Sequence, residues 1–449
     1  MGSIEKKLSY LLGTKNAIKE AIVSKGVEVT NDHTFREYAS LIKNINVSGE
    51  QPSEDEYDNL NDVVFYDYDG TILYSYNKDE ALALEELPEL PSHGGLVCEG
   101  WNWNLDEIKK RVQECGFVDI GAIYNTYDGK TRIYINIEEY NVDTVLSFKF
   151  SQSIANGFTI NWGDGSNEEE YDVSGKISAN HKYSSVGKYV ITITVKSDCI
   201  LTLGDSGIIG SSSDVTNKEA TIIERIHVGD RNKVVESSFR SAKMTALTIP
   251  NSIIIADYTK YLFGNMSSIR FLAIPRTVSS SFIYDYTFSN DKSLKIISFP
   301  YSVVSAYTDS FSGASIKRLY YNVSYGNAYR VFYNNRELLY VTIATSRYAF
   351  LTNSFANCIS LKKINMRTFY NTTTIGNTCF MNCYNLPYID WSIATAVPTL
   401  SNVNAFQGCS SQLKHIVPDD LYDTWIAATN WSSFANNIIK KSDWDASQA

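Results

Sequence analysis

Phe355-Ala356-Asn357-Cys358-Ile359-Ser360-Leu361-Lys362-Lys363-Ile364-Asn365-Met366 is answered one period later by Phe380-Met381-Asn382-Cys383-Tyr384-Asn385-Leu386-Pro387-Tyr388-Ile389-Asp390-Trp391. Working outward from this pair, phenylalanine recurs at Phe239, Phe263, Phe288, Phe311, Phe332, Phe355, Phe380 and Phe406, at intervals of 21 to 26 residues. Most copies carry an aliphatic six positions on (Ile269, Leu294, Leu338, Leu361, Leu386). Two more apolar residues follow at nine and eleven, from Leu272 and Ile274 to Ile389 and Trp391. The first copy is one residue short, the last is one residue long, and the Phe311 copy is degenerate. Imperfect copies at this period predict a solenoid, because one unit cannot bury its apolar face without stacked neighbours.

Within each copy the spacing ends in alternation, which suits one short strand with positions nine and eleven turned inward. Proline then closes several strands (Ile249-Pro250, Ile274-Pro275, Phe299-Pro300, Val417-Pro418). The pattern F-x-N-C-x-x-L-x-x-I resembles the type-5 (BspA-like) leucine-rich repeat over about 180 residues. That resemblance implies a curved parallel sheet used for binding rather than catalysis.

At 449 residues the chain should hold several domains. No apolar run is long enough to cross a bilayer, and the start, Met1 to Leu12, shows no apolar core of a secretory signal. The formal net charge of −10 is uneven: 13 acidic residues face the single Lys78 between Glu50 and Leu90, whereas Arg231–Pro418 holds 18 Lys and Arg against 7 Asp and Glu. A basic solenoid favours an anionic partner. Of the seven cysteines, Cys358, Cys383 and Cys409 share one repeat slot, where small buried thiols are expected rather than a metal or disulfide site.

The expected fold class is multidomain, mainly β with α. Residues 1–47 read as a helical hairpin, the second helix opened by Thr34-Phe35-Arg36-Glu37. Leu8, Leu11, Leu12, Ile18, Phe35 and Tyr38 would supply its docking face. A polar linker spans 48–56. Residues 57–142 form an α+β module in which Asp69-Gly70 and Asp128-Gly129 each predict a hairpin, Asp67 facing Ile72 in the first. Between them Asn104 to Cys115 reads as a helix. Asp67-Tyr68-Asp69-Gly70-Thr71 also looks like the first motif of haloacid-dehalogenase phosphatases, but no strand-helix alternation follows to assemble the rest of such a site. The phrases of this module resemble the amino-terminal modules of phage tail-associated proteins.

Residues 143–197 turn wholly β. Trp162-Gly163-Asp164-Gly165, His181-Lys182-Tyr183 and Gly187-Lys188-Tyr189 resemble the polycystic-kidney-disease (PKD) repeat, an immunoglobulin-like sandwich in which Asp164 and His181 serve turn and packing. Residues 198–232 are a connection, with Ile222–Val228 as the first solenoid strand; 233–418 are the solenoid; 419–449 are a helical cap with a loose polar tail after Lys440.

The five histidines sit in five segments, and no nucleophile-base set or ligand cluster emerges, so no catalytic residue, metal or cofactor is expected. The outward strand position is assigned to Phe271, Ile296, Tyr340, Lys363, Tyr388 and His415, the candidate binding surface, flanked by tyrosine-rich turns. These features point to a virion protein, fibre or baseplate-associated, assembled in the host cytoplasm and extracellular after lysis. It would dock to other virion proteins through its amino terminus and form a homo-oligomer. Its solenoid would bind a host surface glycan or protein of anionic character, without nucleic-acid binding or membrane insertion. A BspA-like bacterial surface adhesin, or a virion structural protein without receptor contact, are the alternatives.

Overall fold

The eight repeat phenylalanines stack ring on ring from Phe239 to Phe406, with centroids 5.2 to 5.7 Å apart and planes within 17° of parallel. The computed structural model describes residue 15 and residues 57–204, 221–257, 259–278, 283–300, 306–321, 329–344, 349–371 and 373–448. The chain divides into units 1–51 and 52–449. The docking residues Leu8, Leu11, Leu12, Ile18, Phe35 and Tyr38 lie outside the described residues.

Each copy turns beside its phenylalanine through a residue of positive φ, 60° to 76°: Ser241, Asn265, Asn290, Gly313, Asn334, Asn357, Asn382 and Gly408. Asparagine and glycine tolerate that conformation best, which is the physical content of the F-x-N signature. The amides stack as well, Asn382 donating to Asn357 and Asn357 to Asn334, each at 2.7 Å. At Gly408 a Cβ would lie 2.3 Å from Asn382 Oδ1, so glycine ends the ladder. The cysteine column has its own ladder: the thiols of Cys358, Cys383 and Cys409 donate to the carbonyls of Phe332, Phe355 and Phe380 in the preceding copies, at 3.0 to 3.1 Å.

The α+β module begins with β1 (Val63–Tyr66) and β2 (Ile72–Tyr76), an antiparallel hairpin. Then come α1 (Lys78–Ala83), β3 (Leu96–Trp101), α2 (Leu105–Cys115) and β4 (Val118–Thr126). A reciprocal capping box between Asn104 and Glu107 starts α2, and Gly116 at φ 83° stops it. Sheet order is β2-β1-β4-β3. In the first hairpin Tyr66, not Asp67, faces Ile72. Asp67 turns inward instead, where Oδ1 accepts from Tyr124 Oη (2.7 Å) and Tyr68 N–H (2.8 Å), and Oδ2 shares a hydrogen bond with His93 (2.7 Å).

The second Asp-Gly turn forms no hairpin. β4 is already flanked by β1 and β3, so β5 (Thr131–Ile137) has no edge to return along. It crosses into a sandwich made with β6 (Leu146–Gln152), β7 (Phe158–Asn161), β8 (Glu169–Glu170), β9 (Gly175–His181), β10 (Gly187–Val195) and β11 (Leu201–Leu203). Next come β12 (Ile223–His227), β13 (Asn232–Val234), β14 (Ala246–Thr248) and β15 (Ile254–Ile255), all of which join the same two sheets. One runs β14-β12-β5-β10-β7-β8, the other β15-β13-β11-β6-β9. The expected boundaries at 142/143, 197/198 and 232/233 are therefore crossed by hydrogen-bonded ladders: each sandwich sheet continues into one face of the solenoid. A single apolar core runs from Ile133 to Ile438. An open solenoid end would expose an unpaired apolar layer and free strand edges, and here the sandwich covers it.

The remaining solenoid strands are parallel pairs or triplets: β16 (Phe271–Ala273) with β17 (Ile296–Ser298), and β18 (Arg318–Tyr321) with β19 (Tyr340–Ile343) and β20 (Lys363–Met366). β21 (Thr374–Ile375) pairs with β23 (Thr399–Leu400). β22 (Tyr388–Asp390) leads to β24 (Lys414–Val417), then to β25 (Ile438–Lys440). Trp391, Trp425 of α3 (Tyr422–Ala427) and Trp431 close the far end, ring centroids 5.5 to 6.4 Å apart. The tail expected to be loose supplies Lys440 to β25 and then helix α4 (Lys441–Gln448), whose Trp444 ring sits 5.0 Å from Tyr388. Among the described residues no helix is long and apolar enough to cross a membrane.

Candidate functional site

The outward row of the solenoid sheet divides into a covered part and an open part. Strand pairing sets Phe271 beside Ile296, aligns Arg318, Tyr340 and Lys363, and puts Tyr388 beside Lys414. Phe271 and Ile296 are 1% and 0% exposed, which corrects their assignment to an open surface. The α+β module lies on them: Tyr66 stacks on Phe271 at 4.8 Å, and Tyr57, Val64 and Ile123 complete the apolar contact. The two sheets meet so closely that a Cβ on Gly121 would lie 2.4 Å from the Ala273 Cβ. Asn102 fastens the same seam, donating to the carbonyls of Ile274 and Ser298 at 3.0 Å and accepting from Gly121 N–H at 2.9 Å.

His415 is also misplaced in the outward row. Lys414 pairs with Tyr388, so the extra residue of the last copy turns His415 inward beside Ile389. It is 1% exposed among Phe406, Trp431 and Phe434, and burial pushes its imidazole down to about 3.

Charge follows the same geometry. Arg318 Nε and Nη2 reach Asp119 at 2.9 and 2.6 Å, and Tyr66 Oη donates to the same carboxylate. Burial alone would lower the Arg318 pKa, yet Asp119 holds it above its ordinary value. Lys317 pairs with Asp58 (2.7 Å) and Glu337 (2.9 Å), and these carboxylates outweigh its desolvation. Arg276 reaches Glu107, and Arg367 reaches Glu114. The Arg111 guanidinium lies 3.7 Å from the Tyr320 ring centroid. Among the described residues, four solenoid cations, Arg276, Lys317, Arg318 and Arg367, are thus met by carboxylates of the chain's own α+β module.

Past this seam the row opens. Tyr340 and Tyr388 are half-buried, Lys363 is exposed, and Asn365 and Asp390 are half-buried. A cleft of about 490 Å³ runs between the open strands and the module, bounded by Tyr57–Leu60, Asp62, Cys115–Phe117, Lys317, Arg318, Leu339, Tyr340, Lys363 and Asn365. The turn tyrosines pack on one another, Tyr261 on Tyr286 at 4.7 Å and Tyr284 on Tyr307 at 4.8 Å. Tyr320 and Tyr321 lie under the module and in the core, while Tyr325 and Tyr348 lie outside the described residues.

Two clusters escape sequence reasoning. The Arg318–Asp119 pair links a degenerate copy to a distant module. Its one available signal is that the Phe311 copy is a residue short, like the first, which puts Leu319 inward and Arg318 outward. The second cluster brings His93 and His227 near Asp67, with Tyr68 between them at ring distances of 5.2 and 5.5 Å. Spacing gives no hint of it. Asp67 there is occupied by three partners that tie the hairpin to Tyr124 and His93, and Asp69 Oδ1 accepts the Thr71 N–H at 3.0 Å within the turn. Among the described residues no group of three or more His, Cys, Asp or Glu could hold a metal ion.

The family described as BspA type leucine rich repeat region matches residues 219–329 and 326–443, in six copies. These segments together cover half of the chain. No curated protein matches it.

Proposed function

This chain belongs to the BspA-type leucine-rich-repeat family, and on that premise we propose that it is a non-enzymatic attachment protein whose partner binds the open end of the solenoid sheet. The observation that carries the proposal is the division of the outward row. The module consumes Phe271, Ile296 and Arg318, whereas Tyr340 and Lys363 border the cleft and Tyr388, half-buried beside Trp444, continues the row in the next copy. Half-buried tyrosines with small polar neighbours give contact area at low ordering cost. The partner is a surface glycan or protein.

The carrier is either a bacterial cell surface, the usual setting of the repeat, or a phage tail, favoured by the resemblance of Asp67–Thr71 and Gly100–Trp103 to tail-associated modules. In the tail reading residues 1–47 dock on other virion proteins and copies assemble as a homo-oligomer. The sandwich is read as PKD-like. Supporting this, Trp162 stacks on His181 at 4.5 Å, Asp164 meets His181 at 2.8 Å, and Tyr183 Oη donates to the Trp162 carbonyl at 2.9 Å.

Replacing Tyr340, Lys363 and Tyr388 together with alanine should abolish adhesion to the target surface while the melting temperature stays near wild type. Unchanged adhesion refutes the assigned face. Mass spectrometry of purified particles against washed cell envelopes separates the two carriers.

A further inference from the structure

We infer that the cleft between the α+β module and strands β18–β20 is a binding site for a neutral sugar. The inference rests on reading the open solenoid end as the binding face and assigns a ligand class to it. The volume, about 490 Å³, falls within the range of small-molecule sites, about 300–1,000 Å³. Two of its lining cations are already held, Arg318 by the two-pronged pair with Asp119 and Lys317 by Asp58, so these side chains add little ordering cost when a ligand binds.

Charge decides the class. Arg318 is answered by Asp119, which leaves Lys317 and Lys363 against Asp58 and Asp62, two cations and two carboxylates. Glu337, which also meets Lys317 but does not line the cleft, is shared with Lys295. A balanced cleft offers no net attraction to an anion, although the whole solenoid is basic. It does offer what vicinal hydroxyls require: acceptors in the Asp62 carboxylate and the Asn365 amide oxygen, and a donor in the Lys363 ammonium. Tyr340 and Phe117 supply apolar ring surface for the C–H face of a pyranose. Asp62 already accepts the Lys78 N–H at 2.8 Å through Oδ2, which orients its carboxylate.

Saturation-transfer NMR on the full chain with glucose, galactose and N-acetylglucosamine, and galacturonate as the anionic comparator, tests this. At least one neutral sugar should receive saturation and compete better than galacturonate. Tyr340→Leu and, separately, Lys363→Met should each weaken its binding about tenfold, the loss of one good polar or stacking contact. Lys363 is exposed, so its replacement leaves folding intact. Absence of saturation transfer from all three neutral sugars, preference for galacturonate, or binding that neither substitution changes would each overturn the inference. A chain that adheres yet takes up no neutral sugar sinks this inference and keeps the attachment reading; one that binds sugar in the cleft yet adheres to nothing does the reverse.

Discussion

Arg318 and Asp119, 199 residues apart, form a two-pronged ion pair in which both side chains are only 6% exposed. Two charges out of water are tolerated there because each satisfies the other and Tyr66 takes a remaining lone pair. Removing one partner leaves the other buried and uncompensated. Arg318→Met alone should therefore cost about 3–5 kcal/mol. Arg318→Met with Asp119→Leu should cost much less, since apolar replacement of both members of a buried pair is often nearly neutral. Urea unfolding followed by the fluorescence of Trp101 and Trp103, both in the module core, reads the difference. Equal loss in the single and double variants would show that the pair does not act as a unit.

Acidification from pH 7 to pH 5 should destabilise the fold through two buried imidazoles. His415 and His227 are both held down to about 3, the first by burial, the second by burial with Arg225 and Arg132 adding to it. Unfolded imidazoles take protons near 6.5, so their contribution is complete above that value. It falls by about 1.4 kcal/mol per pH unit per group as pH drops from about 6.5 toward 3. His93 has the opposite sign: its hydrogen bond to Asp67 raises it. That contribution is complete below about 6.5 and is lost as pH rises through the folded value. Melting temperatures between pH 7 and pH 5 should fall in the wild type, fall less in His227→Gln/His415→Gln, and fall more in His93→Gln. A His227→Gln/His415→Gln profile as steep as the wild type would contradict the assignment of both buried histidines as neutral.

Thiol labelling should sort the cysteines by depth. Cys115, Cys199, Cys358, Cys379 and Cys383 are buried, and desolvation holds the thiols of Cys115, Cys358, Cys379 and Cys383 above their ordinary value. Cys98 and Cys409 are half-buried, with Cys409 raised by burial to about 11. Native protein treated with iodoacetamide at neutral pH should label slowly and only at Cys98 and Cys409, and all seven should label in denaturant. Rapid native labelling of Cys383 would mean that the repeat ladder opens locally.

What the repeat dictates was legible, and what the module imposes was not. Phe355, Asn357 and Cys358 stand for three local requirements: a ring to stack, a left-handed turn, and a small donor for the preceding carbonyl. Each is met within one period, so residue type and spacing announce it. Phe271 and Ile296 obey the same periodicity as Tyr340 and Lys363, and nothing local distinguishes a strand face that water meets from one that a distant sheet covers. The clue was their chemistry, aromatic and aliphatic where the later copies carry Tyr340, Lys363 and Tyr388. Asp128-Gly129 misled for a related reason: the turn forms, Gly129 N–H donating to Thr126 at 3.1 Å, but a turn motif cannot report that the preceding strand has no free edge. His415 shows how a one-residue insertion exchanges inward for outward when its location within the copy is unknown.

β5 is hydrogen-bonded to β10 along one edge and to β12 along the other, and this has a mechanical consequence. Among the described residues, sandwich and solenoid share strands at that junction. In the attachment reading, load reaching β12 and β14 would pass into the sandwich through the ladder bonds of β5.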